Sequence, residues 1–218
     1  MNVLINYFKK TGTRRTLLML FGNLFIGIGV GIFKVSGLGN DPYTGMNLAV
    51  SAKIGMTFAV YQILLNLVLL VVQILFGRYL IGIGTIINAL FLGYIVTFVY
   101  DSIYRVTGGP KNLIQQILVL LVGMVICSFG LYMYQQSNLG VAPYDALSLM
   151  MAKRWPKLSY FWHRIITDGI SAFVCFIFGG IIGLGTLVTA FGFGPFIQFF
   201  DEHITKPILM KQTKTPVS

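Results

Sequence analysis

Residues 37–50 read GLGNDPYTGMNLAV, and residues 138–150 read NLGVAPYDALSLM. Each stretch closes a long apolar run and opens a shorter, half-polar one. Gly37 and Gly39 can take backbone conformations barred to other residues, which releases the helix before them. Asp41 suits an N-cap, and Pro42 suits the first helical position, where its missing N–H is not needed. The stretch therefore reads as helix, break and new helix start. In the second copy Gly140 and Pro143 keep the break and the restart, but Ala142 stands where the first copy has its capping acid. Asp145 falls in the first turn instead, where a carboxylate interacts well with the helix dipole.

The surroundings of these breaks are apolar. Of the 218 residues 56% are hydrophobic and 10% charged, and the mean hydropathy is +0.81. Soluble domains carry about 25% charged residues, so the composition points to an all-α polytopic integral membrane protein. Apolar runs near 16–36, 57–77, 80–100, 113–134, 159–179 and 181–200 each approach the roughly 20 residues that cross a hydrocarbon core as a helix. MNVLINYFKKTGTRR at the start reads as an amphipathic cytosolic lead-in rather than a signal peptide. Cys127 and Cys175 both lie inside expected spans and read as packing residues, not a disulfide framework. The net charge of +10 gathers at span ends: Lys9, Lys10, Arg14 and Arg15, then Lys153, Arg154 and Lys157, then Lys206, Lys211 and Lys214. That is the positive-inside pattern with attraction to anionic lipid, and it does not call for nucleic acid.

Pro42 and Pro143 differ by 101 (143 − 42). The same shift carries Gly39 to Gly140, Tyr43 to Tyr144, Ser36 to Ser137, Gly22 to Gly123 and Gly29 to Gly130. It also carries Gly82, Gly84 and Thr85 to Gly183, Gly185 and Thr186. Ordered matches of glycine, proline and a G-x-G-T pattern indicate an internal duplication. The expected organisation is a lead-in over 1–14, membrane repeats over 15–105 and 106–202, and a basic cytosolic tail over 203–218. Each repeat holds three long transmembrane helices and one short broken or re-entrant helix. PYTGMNLAVSAK, residues 42–53, would span only about 18 Å as a helix. If it does not cross, the halves are inverted, with Lys34, Lys53, Arg105 and Lys111 outside. If it crosses with added extended chain, the halves are parallel and only Lys34 and Arg78 are outside. The register pairs Lys10 with Lys111 and Lys53 with Arg154, which favours parallel halves under the positive-inside bias. Both topologies place both termini in the cytosol.

Duplicated halves with broken helices are a common plan of secondary transporters, with the site between the halves. A helix that starts inside the membrane aims free N–H groups at a ligand; one that starts at its surface is only a turn, with Tyr43 and Tyr144 as interfacial aromatics. The candidate binding residues are Asn40, Asp41, Tyr43, Tyr144 and Asp145. Asp168 lies in the middle of its span, and an intramembrane acid is a functional candidate. Arg164, one helical turn earlier, can pair with it, and His163 adjoins both. These three are candidates for coupling or for a structural ion pair. Gly27 and Gly31 form a G-x-x-x-G contact face, and the G-x-G-T motifs predict close helix packing. No metal-ligand set, nucleophile elbow or paired carboxylates appear, and His163 and His203 are not spaced for zinc. No enzyme, metal or cofactor is expected.

LGNDPYTGMNLAVS, NLGVAPYDALSLMM, GIGTIINALFLG and GLGTLVTAFGFG together resemble the YitT/YczE/YyaS group of bacterial multi-pass membrane proteins, the YczE-like branch above all. The resemblance covers most of residues 15–202. It implies a bacterial inner or plasma membrane protein of uncharacterised activity, and it supplies no catalytic residues. The expected function is secondary transport of a small polar or anionic solute; the alternative is a non-transporting scaffold or accessory protein. The expected partners are the lipid bilayer, an unidentified solute and, left open, a second copy of the chain.

Overall fold

The computed structural model describes residues 12–158, 160–200 and 203. Lys9, Lys10, Lys206, Lys211 and Lys214 lie outside the described residues. Among those described, eight α-helices follow one another without a strand: α1 Thr13–Ser36, α2 Pro42–Lys53, α3 Phe58–Phe76, α4 Ile83–Thr107, α5 Leu113–Ser137, α6 Pro143–Arg154, α7 Tyr160–Ile177 and α8 Leu184–Phe200. Four of them, α1, α3, α4 and α5, are long and apolar enough to cross a membrane. α7 has 18 residues but carries His163, Arg164 and Asp168, and α8 has 17. The outward faces are apolar, with Leu75 69% and Phe98 72% exposed. Such a belt suits lipid and not water.

Both breaks form as their residues dictate. α1 ends on Gly37 in the left-handed region, with φ 70°. α5 ends on Asn138, also left-handed at φ 51°. Ser36 Oγ donates to Phe33 O at 2.6 Å and accepts from Leu38 N at 3.2 Å. Ser137 repeats the pattern with Tyr134 O at 2.6 Å and Leu139 N at 3.3 Å. Asp41 caps α2 by accepting from Thr44 N at 3.0 Å. α6 starts on Ala142 and Pro143 without a side-chain cap and with Asp145 in its first turn. The first and last residues of α2 and α6 both lie 101 apart (143 − 42 and 154 − 53).

The centre of the fold is the pair α1 and α5. Small residues let their backbones touch. A Cβ on Gly22 would lie 2.6 Å from Tyr134 N, and one on Gly29 would lie 2.6 Å from Cys127 N. One on Gly130 would lie 2.5 Å from Ile26 N, and one on Gly123 would lie 3.1 Å from Phe33 Cδ1. Partners descend along α5 as they ascend along α1, so the two helices are antiparallel. The preference for parallel halves is thereby corrected, since parallel halves would run α1 and α5 the same way. That preference rested on the register placing Lys10 opposite Lys111 and Lys53 opposite Arg154. Two charge pairs weigh little against a helix interface this close.

α4 packs on α1 and α8 on α5. Gly27 faces Ile95 and Gly31 faces Val99, where a Cβ on Gly31 would lie only 2.8 Å from Val99 Cγ1, so the G-x-x-x-G face serves α4. The short helices reach across. α2 packs against α7 as well as α3, and α6 against α3 as well as α7. The G-x-G-T motifs do something more specific than close helix packing. Gly84 N donates to Leu139 O at 2.8 Å, and Gly185 N donates to Leu38 O at 2.9 Å. Each motif thus straps down the broken segment that follows α5 or α1. Glycine is needed there because a side chain on Gly82 or Gly183 would collide with the carbonyl of Leu139 or Leu38.

Candidate functional site

The two helix restarts meet in the middle. The rings of Tyr43 and Tyr144 stack with centroids 4.1 Å apart and planes 16° apart. Both are buried, at 8% and 6% exposure. They line one small cavity with Ile26, Val30, Cys127 and Leu131, residues at mid-length of α1 and α5. Both tyrosines thus pack inside the helical bundle and not at its rim. Both breaks lead into helices that start at the depth of the helical core.

Each tyrosine is oriented by a polar group on a long helix. Tyr43 OH donates to Asn66 Oδ1 at 2.7 Å, and Asn66 Nδ2 donates to Ala89 O at 3.3 Å. Tyr144 OH donates to Asp168 Oδ1 at 2.6 Å and lies 3.2 Å from Ser171 Oγ. Arg164 Nε donates to Asp168 Oδ2 at 3.2 Å, the pairing expected from their spacing on one helical face. Arg164 Nη1 also binds Asp145 Oδ1 on α6, and the guanidinium carbon sits 5.2 Å from the centre of the Tyr144 ring. The guanidinium therefore links α6 to α7 by charge. Its planar fork suits this bridging role better than a lysine would.

The cavity measures about 70 Å³. Asp41, Tyr43, Thr44, Tyr144, Asp145 and Arg164 are on its wall. Asp168 is buried one bond behind, through Tyr144 and Arg164. Asn40 and His163 are buried as well, at 5% and 1% exposure, but neither is on that wall. Five polar wall residues were not among the candidate site residues: Gln62, Asn66, Asn88, Thr44 and Tyr134. The first three carry a weak signal as neutral amides within apolar runs. Tyr134 carries none, since tyrosine near the end of a span reads as an interfacial aromatic. A second hollow of about 470 Å³ shares Tyr134 and Asp145 with the cavity and runs along Tyr79, Leu80, Gln135 and Asn138. It opens at the end of the bundle that holds the α3–α4 connection. Thr44, which the 101-residue shift places opposite Asp145, is 5% exposed, against 22% for the Asp145 side chain. The wall is thus more open on the α6 side.

Residues 13–202 match the model of a family of unknown function, DUF6198. The chain belongs to that family. The relatives that it resembles are described as uncharacterised. An uncharacterised protein of Haemophilus influenzae is 30% identical over 87% of this chain and 84% of its own length. YyaS of Bacillus subtilis is 25% identical over 88% and 95%. YczE of the same organism, described as an uncharacterised membrane protein, is 24% identical over 82% and 81%. No solved structure matches. The resemblance read from the break motifs and the G-x-G-T motifs thus extends along most of the DUF6198 chain. Together with four membrane-length apolar helices it makes the protein an integral membrane protein.

Proposed function

We propose that the protein is a secondary transporter of a small polar solute, with its site between two inverted repeats, 15–105 and 106–202. The observation that carries this reading is the mid-depth cavity walled by both helix restarts and by Arg164. Broken helices facing each other at the midplane are how secondary transporters bind substrate. Irregular backbone at membrane depth persists where it is buried in protein or lines a wet cavity. Three carboxylates against one guanidinium disfavour an anionic solute. The scaffold alternative draws on the full engagement of Asp168 by Tyr144 and Arg164, but a scaffold has no use for a polar cavity flanked by a second hollow that shares Tyr134 and Asp145 with it.

The test is a solute screen in proteoliposomes with the wild type, Asp41→Ala and Asp168→Asn. At least one small solute moves with the wild type, and each variant slows it roughly tenfold or more, the loss expected from removing one charge-assisted hydrogen bond. If no solute moves or stabilises the protein, the transport reading fails.

In this reading α1, α3, α4, α5, α7 and α8 cross the bacterial cell membrane, α2 and α6 enter without crossing, and both termini are cytosolic. A membrane-impermeant maleimide added to intact cells then labels cysteines placed at Lys53 and Arg105. A cysteine at Arg154 reacts only after permeabilisation. Labelling of position 154 from outside, or its failure at 53 and 105, overturns the inverted arrangement.

A further inference from the structure

The charges around the central cavity do not balance. Asp41, Asp145 and Asp168 face a single guanidinium, Arg164, which binds both Asp145 and Asp168. Among the described residues Asp41 has no paired cation of its own. Its Oδ1 accepts the α2 cap bond from Thr44 N. The starts of α2 and α6 each bring about half a positive charge to the centre. Roughly one negative charge is left over, at a depth where an uncompensated charge is expensive.

A second observation points the same way. Gln62 and Tyr134 are each 2% exposed, and both are on the cavity wall. Gln62 Oε1 and Tyr134 OH have no hydrogen-bond partner among the described residues. Unmatched buried oxygens are costly, and hard oxygen ligands are what an alkali cation takes. Among the described residues no three His, Cys, Asp or Glu side chains are grouped to hold a metal ion, which argues against a divalent or transition metal. A volume of about 70 Å³ corresponds to about two waters. That suits a partly dehydrated ion and excludes a bulky organic cation.

We propose that the central cavity binds one small monovalent metal cation, held by the Asp41 carboxylate, the Gln62 side-chain carbonyl and the Tyr134 hydroxyl. The inference deepens the central-site reading above, with the ion as the coupling or transported species. Tyr134 also lines the larger hollow, so the ion enters past it.

The experiment uses the full chain in nanodiscs. Thermal unfolding is followed while lithium, sodium or potassium chloride replaces choline chloride at constant ionic strength, and a pH series is run in choline. The midpoint rises by about 4 °C or more with at least one alkali ion, as linkage to ligand binding requires. Asp41→Asn and Tyr134→Phe lose that rise. Tyr134→Phe removes only a hydroxyl and keeps the wild-type midpoint in choline, which separates loss of the ion from loss of the fold. The inference is overturned if all chlorides give one midpoint, if only protons raise it, or if both variants respond like the wild type. Uptake of radiolabelled sodium or rubidium into proteoliposomes separates the two readings. An ion-dependent midpoint with no flux of ion or solute keeps the cation site and sinks transport. Solute flux indifferent to alkali ions, with no midpoint shift, keeps transport and sinks the cation site.

Discussion

Replacing Arg164 with leucine destabilises the protein by about 2–4 kcal/mol and abolishes any activity of the central site. The guanidinium holds Asp145 on α6 and Asp168 on α7 together. Its removal leaves two carboxylates close to one another with no counter-charge. Breaking a buried pair costs about 3–5 kcal/mol, and the 29% exposure of Arg164 brings the expected cost down through screening. Unfolding in mixed micelles measures it. The triple change Arg164→Leu, Asp145→Asn, Asp168→Asn recovers most of the stability, because the stranded charges are gone, but does not recover function. If the single change is neutral, the guanidinium bridge contributes nothing to the fold.

The second large effect lies at the α1–α5 interface. Gly29→Ala would place a Cβ 2.5 Å from Cys127 Cβ, and Gly130→Ala would place one 2.5 Å from Ile26 N. Overpacking costs about 1–3 kcal/mol, and here the obstacle is backbone rather than the far end of a side chain, so the upper part of that range applies to each. The two sites belong to one interface, and once one alanine has pushed the helices apart the second adds little. The double variant therefore falls short of the sum. Gly169→Ala is the control, since a Cβ there meets nothing within 4 Å. Equal losses at 29, 130 and 169 would mean that the helices do not approach as described.

Much of this was legible in the residues. The positions of Gly37, Gly39, Pro42, Gly140 and Pro143 announce two breaks and restarts, because glycine and proline act locally and need no partner. The pairing of Arg164 with Asp168 follows from helical spacing alone. The direction of the halves was not legible, because it is decided by which glycines of α1 meet which residues of α5, a tertiary fact that charge counting at span ends reflects only weakly. The bond from Arg164 to Asp145 was also hidden, since the two residues lie on different helices and nothing in their spacing relates them. Asn40 and His163 adjoin other candidate residues in sequence, and both are buried without lining the cavity. Tyr134 gave no signal in the sequence, yet it lines both the cavity and the hollow.

The two tyrosine anchors differ in kind, and the difference sets unequal stiffness. Tyr43 is tied to α3 by a neutral bond to Asn66, worth about 1 kcal/mol net. On the other side, sliding α6 along α7 parts Tyr144 from a carboxylate and Asp145 from a guanidinium, which is several times dearer. Thermal energy at ordinary temperature loosens the first attachment far more often than the second. On these two anchors, opening of the central cavity parts Tyr43 from Asn66 before it parts Tyr144 from Asp168.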